Sequence, residues 1–241
     1  MTGKLVLPIQ AFLVRSSRHT ILVDSCVGND KTCGWLPDWH RRRDNTFLQR
    51  LAKAGVTPEQ VDYVLCTHLH IDHCGWNTRL VDGRWVPTFP NARYVIARRE
   101  LEASEATAGG TGSRTYEDNV LPIVEAGRAV VVDMDFELDD EVRLEPTPGH
   151  TLGHVAIGLR SQGARGVVSG DLMHWPMQCI YPDWNFLHDA DPDQARQTRW
   201  AFLEACADNG SIVMTSHFPL PSVGSISRRG SSFWFEDGQL A

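Results

Sequence analysis

The stretch Thr67-His-Leu-His-Ile-Asp-His73 directly follows an apolar run at residues 61–66 and holds four potential metal ligands within six positions. These ligands are His68, His70, Asp72 and His73. Imidazole nitrogen and carboxylate oxygen suit zinc and related divalent ions. Side chains at positions i and i+2 of an extended chain point to the same side, and the turn that follows aims the next ligands elsewhere. The spacing therefore predicts a segment that can serve two adjacent metal ions.

Three more ligand-type side chains follow predicted strands further along the chain. His150 lies in a turn constrained by proline and glycine, Asp171 follows an apolar run, and His217 follows a third predicted strand. Loops at strand ends carry functional residues on a rigid scaffold. A single histidine in such a place is more often structural, and a His-rich loop can simply be polar surface. The agreement of all these segments instead predicts a metal centre assembled from distant parts of the chain.

Composition and charge argue against several classes of function. The chain has 241 residues, with 23 Lys+Arg against 30 Asp+Glu and a formal charge of −7. This acidic balance argues against general binding to nucleic acids or anionic membranes, because both need a cationic surface. No apolar run approaches the roughly 20 residues that span a bilayer, and no signal-peptide stretch opens the sequence. Six cysteines without a CxxC pair are typical of reduced thiols, which predicts a cytoplasmic protein.

Short apolar runs alternate with amphipathic segments along the chain. Residues 9–14 and 20–23 predict a hairpin, and further strands are predicted at 61–66, 93–97, 129–132, 141–144, 154–159, 166–169 and 212–215, the last being the final strand. Helices are predicted from Asp44 to Gly55 and at 98–106, 114–125 and 192–207, the last one capped by Asp191. Thr57-Pro-Glu-Gln60 predicts a capping box, and Gly109-Gly-Thr-Gly112 predicts a surface loop. Together these elements predict one domain over residues 1–241, of the α/β or α+β class.

In this order of motifs the chain resembles the metallo-β-lactamase superfamily of metallohydrolases, whose signature is H-x-H-x-D-H followed by further His, Asp and His ligands. The resemblance runs from Ile9 to the C-terminus. It implies a four-layer αββα sandwich with the metals at one edge of two facing sheets. It also implies which residues hold each metal. One ion would be bound by His68, His70 and His150, the other by Asp72, His73 and His217, with Asp171 as the bridge between them.

Asp171 also bears on the activity that the resemblance implies. A bridging aspartate resembles the lactonases, thioesterases and phosphodiesterases, whereas the β-lactamases proper carry Cys or Ser there, or no bridging carboxylate. The acidic charge argues against the RNA phosphodiesterase branch, and His70 argues against the flavin-partnered oxygen reductases. The resemblance therefore implies a dinuclear hydrolase that opens lactones or cleaves related carboxylic esters with a metal-bridging hydroxide. Zinc is the default for its two divalent ions, with iron, manganese or cobalt as alternatives.

Other functions stay open at this point. They are a glyoxalase-II-like thioesterase, a β-lactam hydrolase and a mononuclear iron dioxygenase that acts on persulfides. The dioxygenase would use one iron instead of two metal ions. A metal-stabilised binding module is the non-enzyme alternative, and a closed coordination shell would mark it. One fold hosts many chemistries, so the substrate follows only by analogy.

Three side chains are predicted to be catalytic. Asp72 would accept or relay a proton toward the leaving alkoxide, Asp171 would bridge the metals, and His174 would contact the substrate or act as an acid. Asp24 would orient a ligand imidazole through its far ring nitrogen, with a turn carboxylate as the alternative. His154 is expected to be a buried structural residue.

Tryptophans and cysteines accompany the ligand motifs. Five tryptophans in neighbouring loops predict an apolar substrate pocket, with core packing as the alternative. They are Trp35, Trp39, Trp76, Trp175 and Trp184. Cys66 and Cys74 flank the histidine cluster and are expected to pack rather than to bind metal.

The expected partner is a small-molecule substrate, with no nucleic acid and no membrane. Members of the superfamily usually carry a further strand pair before the stretch that corresponds to residues 9–23, and this sequence starts almost at it. An exposed sheet edge favours pairing with another chain, which leaves room for a homodimer.

Overall fold

The computed structural model describes residues 5–109 and 114–238, and the chain divides into two units. The N-terminal unit comprises Ala11–Asp133, and the C-terminal unit comprises residues 5–10 and 134–238. Of the loop predicted at residues 109–112, only Gly109 lies within the described residues. The single domain over residues 1–241 stays a prediction.

Seven strands are described in the N-terminal unit. They are β1 (Phe12–Arg15), β2 (Thr20–Val23), β3 (Tyr63–Leu65), β4 (Thr78–Val81), β5 (Arg84–Pro87), β6 (Arg93–Ala97) and β7 (Ala129–Val132). Five of them form a sheet of order β1-β2-β3-β6-β7, in which β1 is antiparallel to β2 and the other pairs are parallel. The central strand β3 is apolar because it is covered on both faces, and Val64 is fully buried there. These strands confirm the predicted hairpin and the predicted strands at 61–66, 93–97 and 129–132.

The hairpin formed by β4 and β5 was not predicted from the sequence. Its turn is Asp82-Gly83, and both residues have positive φ, at 49° and 77°. A two-residue turn of this kind is the strongest short-range hairpin signal. The flanking residues gave no strand pattern, because the apolar residues of β4, Leu80 and Val81, are adjacent and exposed instead of alternating with polar ones.

The helices of the N-terminal unit are α1 (Thr46–Lys53), α2 (Ile71–Cys74), α3 (Arg98–Ala106) and α4 (Leu121–Glu125), with a π-helical turn at Tyr116–Val120 before α4. The prediction that Asp44 caps α1 is wrong in register. Asn45 holds the cap position. Asp44 lies one residue before it, and its Oδ1 accepts the N–H of Thr46 at 2.8 Å. The capping box predicted at Thr57 to Gln60 is present.

The C-terminal unit carries a six-stranded sheet. Its strands are β8 (Val142–Pro146), β9 (Val155–Ser161), β10 (Ala164–Val168), β11 (Ile212–Met214), β12 (Val223–Arg229) and β13 (Ser232–Asp237). The order is β13-β12-β11-β10-β9-β8, with only the β10–β11 pair parallel. The prediction that the strand at 212–215 is the last one is therefore wrong. Serine, glycine and arginine interrupt the apolar pattern of β12, because that strand is half-exposed near a sheet edge.

Two helices complete the C-terminal unit, α5 (Met177–Ile180) and α6 (Pro192–Asn209). Asp191 caps α6 as predicted, since its Oδ1 accepts the N–H of Gln194 at 3.0 Å. Gly210, with a φ of 66°, ends the helix in the left-handed region. Helix α6 contributes Leu203 to a core that also contains Ala156, Val167, Val213, Phe218 and Phe233.

Every candidate ligand segment lies just beyond the end of a strand. His68 follows β3, His150 lies between β8 and β9, Asp171 follows β10, and His217 follows β11. Among the described residues, no helix is both long enough and apolar enough to cross a bilayer.

Lys31 is a fully buried cation in the N-terminal unit. Its Nζ donates to Thr78 Oγ1 at 2.6 Å and to the carbonyl of Asp118 at 3.4 Å, and it lies 3.6 Å from the centre of the Trp85 ring. Burial lowers the pKa of this amine from 10.5 to about 7. Between pH 7 and pH 10 the unfolded chain therefore keeps a proton that the folded chain has released.

We expect the stability of the protein to rise with pH in this window because of Lys31. The unfolding free energy should increase by up to about 1.4 kcal/mol per pH unit above pH 7, and Lys31→Met should remove that slope. Urea unfolding between pH 6 and pH 9 measures it as the difference between wild type and variant. Lys53→Met, at an exposed position, should run parallel to wild type. If the pH dependence of the unfolding free energy were the same for Lys31→Met as for wild type, the expected protonation change would be contradicted.

Candidate metal centre

His68 and His70 follow β3 where the chain is still extended. Their imidazoles meet at 3.0 Å between Nε2 of His68 and Nδ1 of His70, so the predicted common direction of the two side chains is confirmed. Helix α2 then begins, and it carries Asp72 and His73. Their side chains lie 3.8 Å apart between Oδ2 and Nε2, and the ring of His73 lies 4.1 Å from that of His68. The four ligand-type side chains of this segment therefore gather within the N-terminal unit.

Asp24, at the end of β2, orients His73. His73 Nδ1 donates to Asp24 Oδ2 at 2.8 Å, and the same carboxylate accepts the N–H and the hydroxyl of Thr67 at 2.8 Å each. Asp24 is only 1% exposed. A carboxylate on the far ring nitrogen fixes the imidazole, and the other nitrogen, Nε2, faces Asp72. The predicted contact of Asp24 with the far ring nitrogen of a histidine is confirmed, and the ligand role of His73 stays a prediction.

The loop after Asp24 holds the histidine segment through backbone contacts. The N–H of Ser25 donates to the carbonyl of His73 at 2.7 Å, and the N–H of Gly75 donates to the carbonyl of Cys26 at 2.7 Å. A Cβ on Gly75 would lie 1.8 Å from the carbonyl oxygen of Val27. Only glycine permits so close an approach of two backbones. The end of α2 is therefore fixed against this loop.

In the C-terminal unit, one buried carboxylate lies among three imidazoles. Asp171 is 4% exposed, and its Oδ2 is 3.3 Å from Nε2 of His150 and 3.1 Å from Nε2 of His174. Its Oδ1 is 3.0 Å from Nε2 of His217. The ligand atoms of Asp171, His174 and His217 all lie close enough together to hold one metal ion. The structure thus brings four of the predicted site residues together in this unit.

The far nitrogens of two of these imidazoles are held by other groups. His150 Nδ1 donates to Asp189 Oδ1 at 3.0 Å, and His217 Nδ1 donates to the carbonyl of Pro8 at 2.7 Å. Each bond fixes the ring and leaves Nε2 directed at Asp171. Both imidazoles therefore present Nε2 to the same carboxylate.

His154 has the predicted structural role. It is fully buried, its Nδ1 donates to the carbonyl of Thr147 at 3.0 Å, and its Nε2 accepts the N–H of Asp171 at 3.0 Å. Both ring nitrogens are therefore used inside the protein. The residue ties the turn before β9 to the backbone that presents Asp171.

Two of the imidazoles near Asp171 titrate in opposite directions. Burial disfavours the charged form of His150, but the hydrogen bonds to Asp171 and Asp189 outweigh burial and raise the pKa to about 9. Because a metal needs the neutral imidazole, binding of a metal ion at His150 would release a proton. Burial dominates at His174 and lowers its pKa, so this side chain is neutral at pH 7.

His174 is held by stacking. Its ring lies 3.6 Å from that of Phe186, with the two planes 15° apart, and Nε2 faces Asp171. The opposite nitrogen, Nδ1, is buried and forms no hydrogen bond within the described part of the chain. A buried polar atom normally has a hydrogen-bond partner, so a group from outside the described chain would suit this nitrogen.

The tryptophans and cysteines near the motifs divide between surface and core. Trp35 and Trp184 are exposed, at 53% and 54%, whereas Trp76 is buried and stacks on Phe47. Trp76 therefore packs in the core, which was the alternative to the predicted pocket. Cys66 and Cys74 are buried, burial raises the pKa of both thiols, and both pack as predicted.

Sequence reasoning missed the groups that orient two of the imidazoles. Asp189 reaches His150 across 39 residues, and the partner of His217 is a backbone carbonyl at Pro8. Asp189 lies two residues before the helix cap Asp191, and nothing in the sequence distinguishes its carboxylate from other polar residues of that turn. A carbonyl has no sequence signature at all.

Comparison with known families agrees with the order of these motifs. The profile of the metallo-β-lactamase superfamily matches residues 5–217, which is most of the chain. The chain belongs to the metallo-β-lactamase superfamily. Its fold is accordingly the metallo-β-lactamase fold, a mixed α/β arrangement with two sheets flanked by helices. Both His/Asp clusters carry the ligand types of a dinuclear metal site in this superfamily.

Similar members of the metallo-β-lactamase superfamily include lactonases. An N-acyl homoserine lactonase of a Bacillus species is 26% identical over 168 residues, which cover 65% of this chain and 60% of the relative. The chain thus spans less than two thirds of that curated relative. The crystal structure of the hydrolase AbOPH has a TM-score of 0.80 at 27% identity, covering 98% of this chain and 81% of that one. AidC, a dizinc quorum-quenching lactonase, has a TM-score of 0.79 at 24% identity with the same coverage.

Proposed function

We propose that this protein is a metal-dependent hydrolase that opens lactones or cleaves related carboxylic esters. The observation that carries the proposal is the cluster around Asp171, whose carboxylate lies within 3.3 Å of Nε2 atoms from His150, His174 and His217. A buried carboxylate among imidazoles suits a divalent cation. The lactonase among the relatives supports lactones as the substrate class.

The metal ligands are proposed from the superfamily signature. They are His68, His70 and His150 for one ion, Asp72, His73 and His217 for the other, and Asp171 as the bridge. The orientation of the imidazoles supports this assignment, because His73 and His150 each donate Nδ1 to a carboxylate and so keep Nε2 for a metal. Zinc is the default metal for these ligand types, and iron, manganese or cobalt would also suit them.

The protein side chains have distinct tasks in the proposed reaction. Two divalent ions, when bound, would polarise the ester carbonyl and lower the pKa of a nucleophilic water to about 7. Asp72, whose side chain is 14% exposed, would accept a proton and pass it to the leaving alkoxide. His174 would contact the substrate through Nδ1, the nitrogen without a hydrogen bond in the described chain.

The segment between α5 and α6 supports an apolar substrate group. Tyr181, Trp184 and Leu187 are 46%, 54% and 90% exposed, and the first two rings stack at 4.6 Å. The same segment carries Phe186, which stacks on His174. Exposed apolar side chains that cluster on a soluble protein mark binding surfaces. We therefore propose that the substrate carries an apolar acyl or aryl group.

The test combines metal analysis with a panel of lactones, thioesters, phosphodiesters and β-lactams. We expect two metal ions per chain, fastest turnover of lactones, and loss of turnover when a chelator removes the metal. One iron ion per chain together with oxidation of persulfides would contradict the hydrolase and support a dioxygenase. Faster hydrolysis of β-lactams than of lactones would contradict the inference from Asp171, and bound metal with no turnover would leave a binding module.

A further inference from the structure

Arg199 is a buried cation of α6 with several acceptors around it. Its side chain is 1% exposed, and Nε donates to the carbonyl of Leu172 at 2.9 Å. Nη1 donates to the carbonyls of Pro182 and Trp184, each at 2.8 Å, and Nη2 lies 3.7 Å from Asp189 Oδ2. Burying a guanidinium is costly unless its donors are paired. The four contacts meet that condition.

Two of these contacts lead directly to proposed metal ligands. Leu172 follows Asp171 in the chain, so the bond from Nε of Arg199 holds the backbone of the turn that presents the bridging carboxylate. Asp189 lies between Arg199 and His150, because its Oδ1 accepts from His150 Nδ1 at 3.0 Å. One guanidinium therefore contacts both the backbone next to Asp171 and the carboxylate that binds His150.

A third route leads from Asp189 to His174. Asp189 Oδ2 accepts the backbone N–H of Phe186 at 2.8 Å. The ring of Phe186 in turn stacks on His174. The carboxylate that contacts Arg199 thus also fixes the segment that covers this third imidazole.

We infer that Arg199 is a positioning residue for the Asp171 cluster, holding the backbone beside Asp171 and the carboxylate that orients His150. The inference rests on the proposed metal role of these two ligands. A planar guanidinium offers five donors at fixed angles, whereas the three donors of a lysine ammonium sit on one nitrogen and cannot reach all three carbonyls and the carboxylate. Arg199→Lys keeps the positive charge and changes only this geometry.

A purely structural arginine would affect stability alone. A positioning residue would also alter metal affinity and the state of His150 in a protein that is still folded. Groups that orient metal ligands typically contribute about 10–100-fold to metal affinity. The two roles are therefore separable by measurement.

The experiment compares Arg199→Lys and Asp189→Asn with Arg196→Lys as the matched control. Arg196 lies one turn earlier on α6, is 38% exposed, and pairs with Asp193 at 3.0 Å. Zinc affinity is measured by competition with a chelator, the ligand geometry by the visible spectrum of the cobalt-substituted protein, and His150 by ¹⁵N NMR of the metal-free protein. We expect about 10–100-fold weaker binding of one zinc ion, a changed cobalt spectrum and a shifted His150 resonance in both test variants. The control should match wild type.

The outcomes separate this inference from the proposed function. A folded Arg199→Lys variant with wild-type zinc affinity, cobalt spectrum and His150 resonance would overturn the positioning role. If Arg199→Lys does not fold, Asp189→Asn decides, because it keeps Arg199 and removes the carboxylate charge that links Arg199 to His150 and to the Phe186 segment. If wild type binds no zinc, the proposed function fails, and the His150 resonance of the metal-free variants still decides the role of Arg199.

Discussion

Replacing Asp171 with alanine is expected to remove at least one of the proposed metal ions and to lower kcat/KM by about 10³-fold or more. This carboxylate is the group on which three imidazole nitrogens converge at 3.0–3.3 Å. Without it, His150 and His217 lose the negative charge that they share. The positive charge of bound metal would then be less well balanced, and the first ion would repel the second.

Asp171→Asn keeps the size of the side chain and removes its charge, so it separates charge from shape. We expect the same loss of metal and activity, measured by metal analysis and by hydrolysis of the best lactone from the panel. Asp208→Asn is the matched control, because Asp208 is 72% exposed and pairs only loosely with Arg228, at 3.4 Å. Wild-type metal content in the Asp171 variants would contradict the bridging role. Wild-type activity in a variant without metal would contradict the metal mechanism itself.

Local parts of the site could be predicted from the sequence because local geometry determines them. The contact between His68 and His70 follows from their spacing on an extended chain. Asp24 could be proposed as the partner of a ligand histidine because it ends a strand, and it does bind His73. Asp189 could not be proposed for His150, since only the folded chain brings them together across 39 residues.

Secondary-structure elements could likewise be predicted where the local sequence signal is strong and were missed where it is weak. The run of β-branched residues in β7 and the amphipathic α3 were predicted with the bounds that the structure has. Strand β12 was missed because its apolar residues Val223 and Ile226 are three positions apart, and β13 because its three aromatic residues are consecutive, so neither shows the alternation typical of a strand. Trp76 was assigned to a pocket because its loop position resembles that of a binding residue, and only its stacking on Phe47 identifies it as core.

Gly149→Ala is expected to have the second large effect, on stability and on His150 together. Gly149 has a φ of 137°, and a Cβ there would lie 2.3 Å from the Cα and the N of Ala195 on α6. Backbone atoms of a helix cannot move aside as a flexible side chain can, so the turn must shift. Backbone strain and overpacking together should lower the unfolding free energy by about 3 kcal/mol.

A shift of this turn should also move His150 in the Asp171 cluster, because His150 is the residue after Gly149. Two backbone bonds hold the turn to the start of α6: the N–H of Asp191 donates to the carbonyl of Gly149 at 2.9 Å, and the N–H of Ala190 donates to that of His150 at 3.0 Å. Gly163→Ala is the matched control, since Gly163 has a φ of 83° and an added Cβ there would meet no described atom within 4 Å. Urea unfolding and zinc content, measured for both variants, separate the clash from the backbone strain that the two share. Equal losses in the two variants would mean that contact with α6 does not hold the turn, whereas a larger loss in Gly149→Ala, with less zinc bound, would tie the packing of α6 to the position of His150.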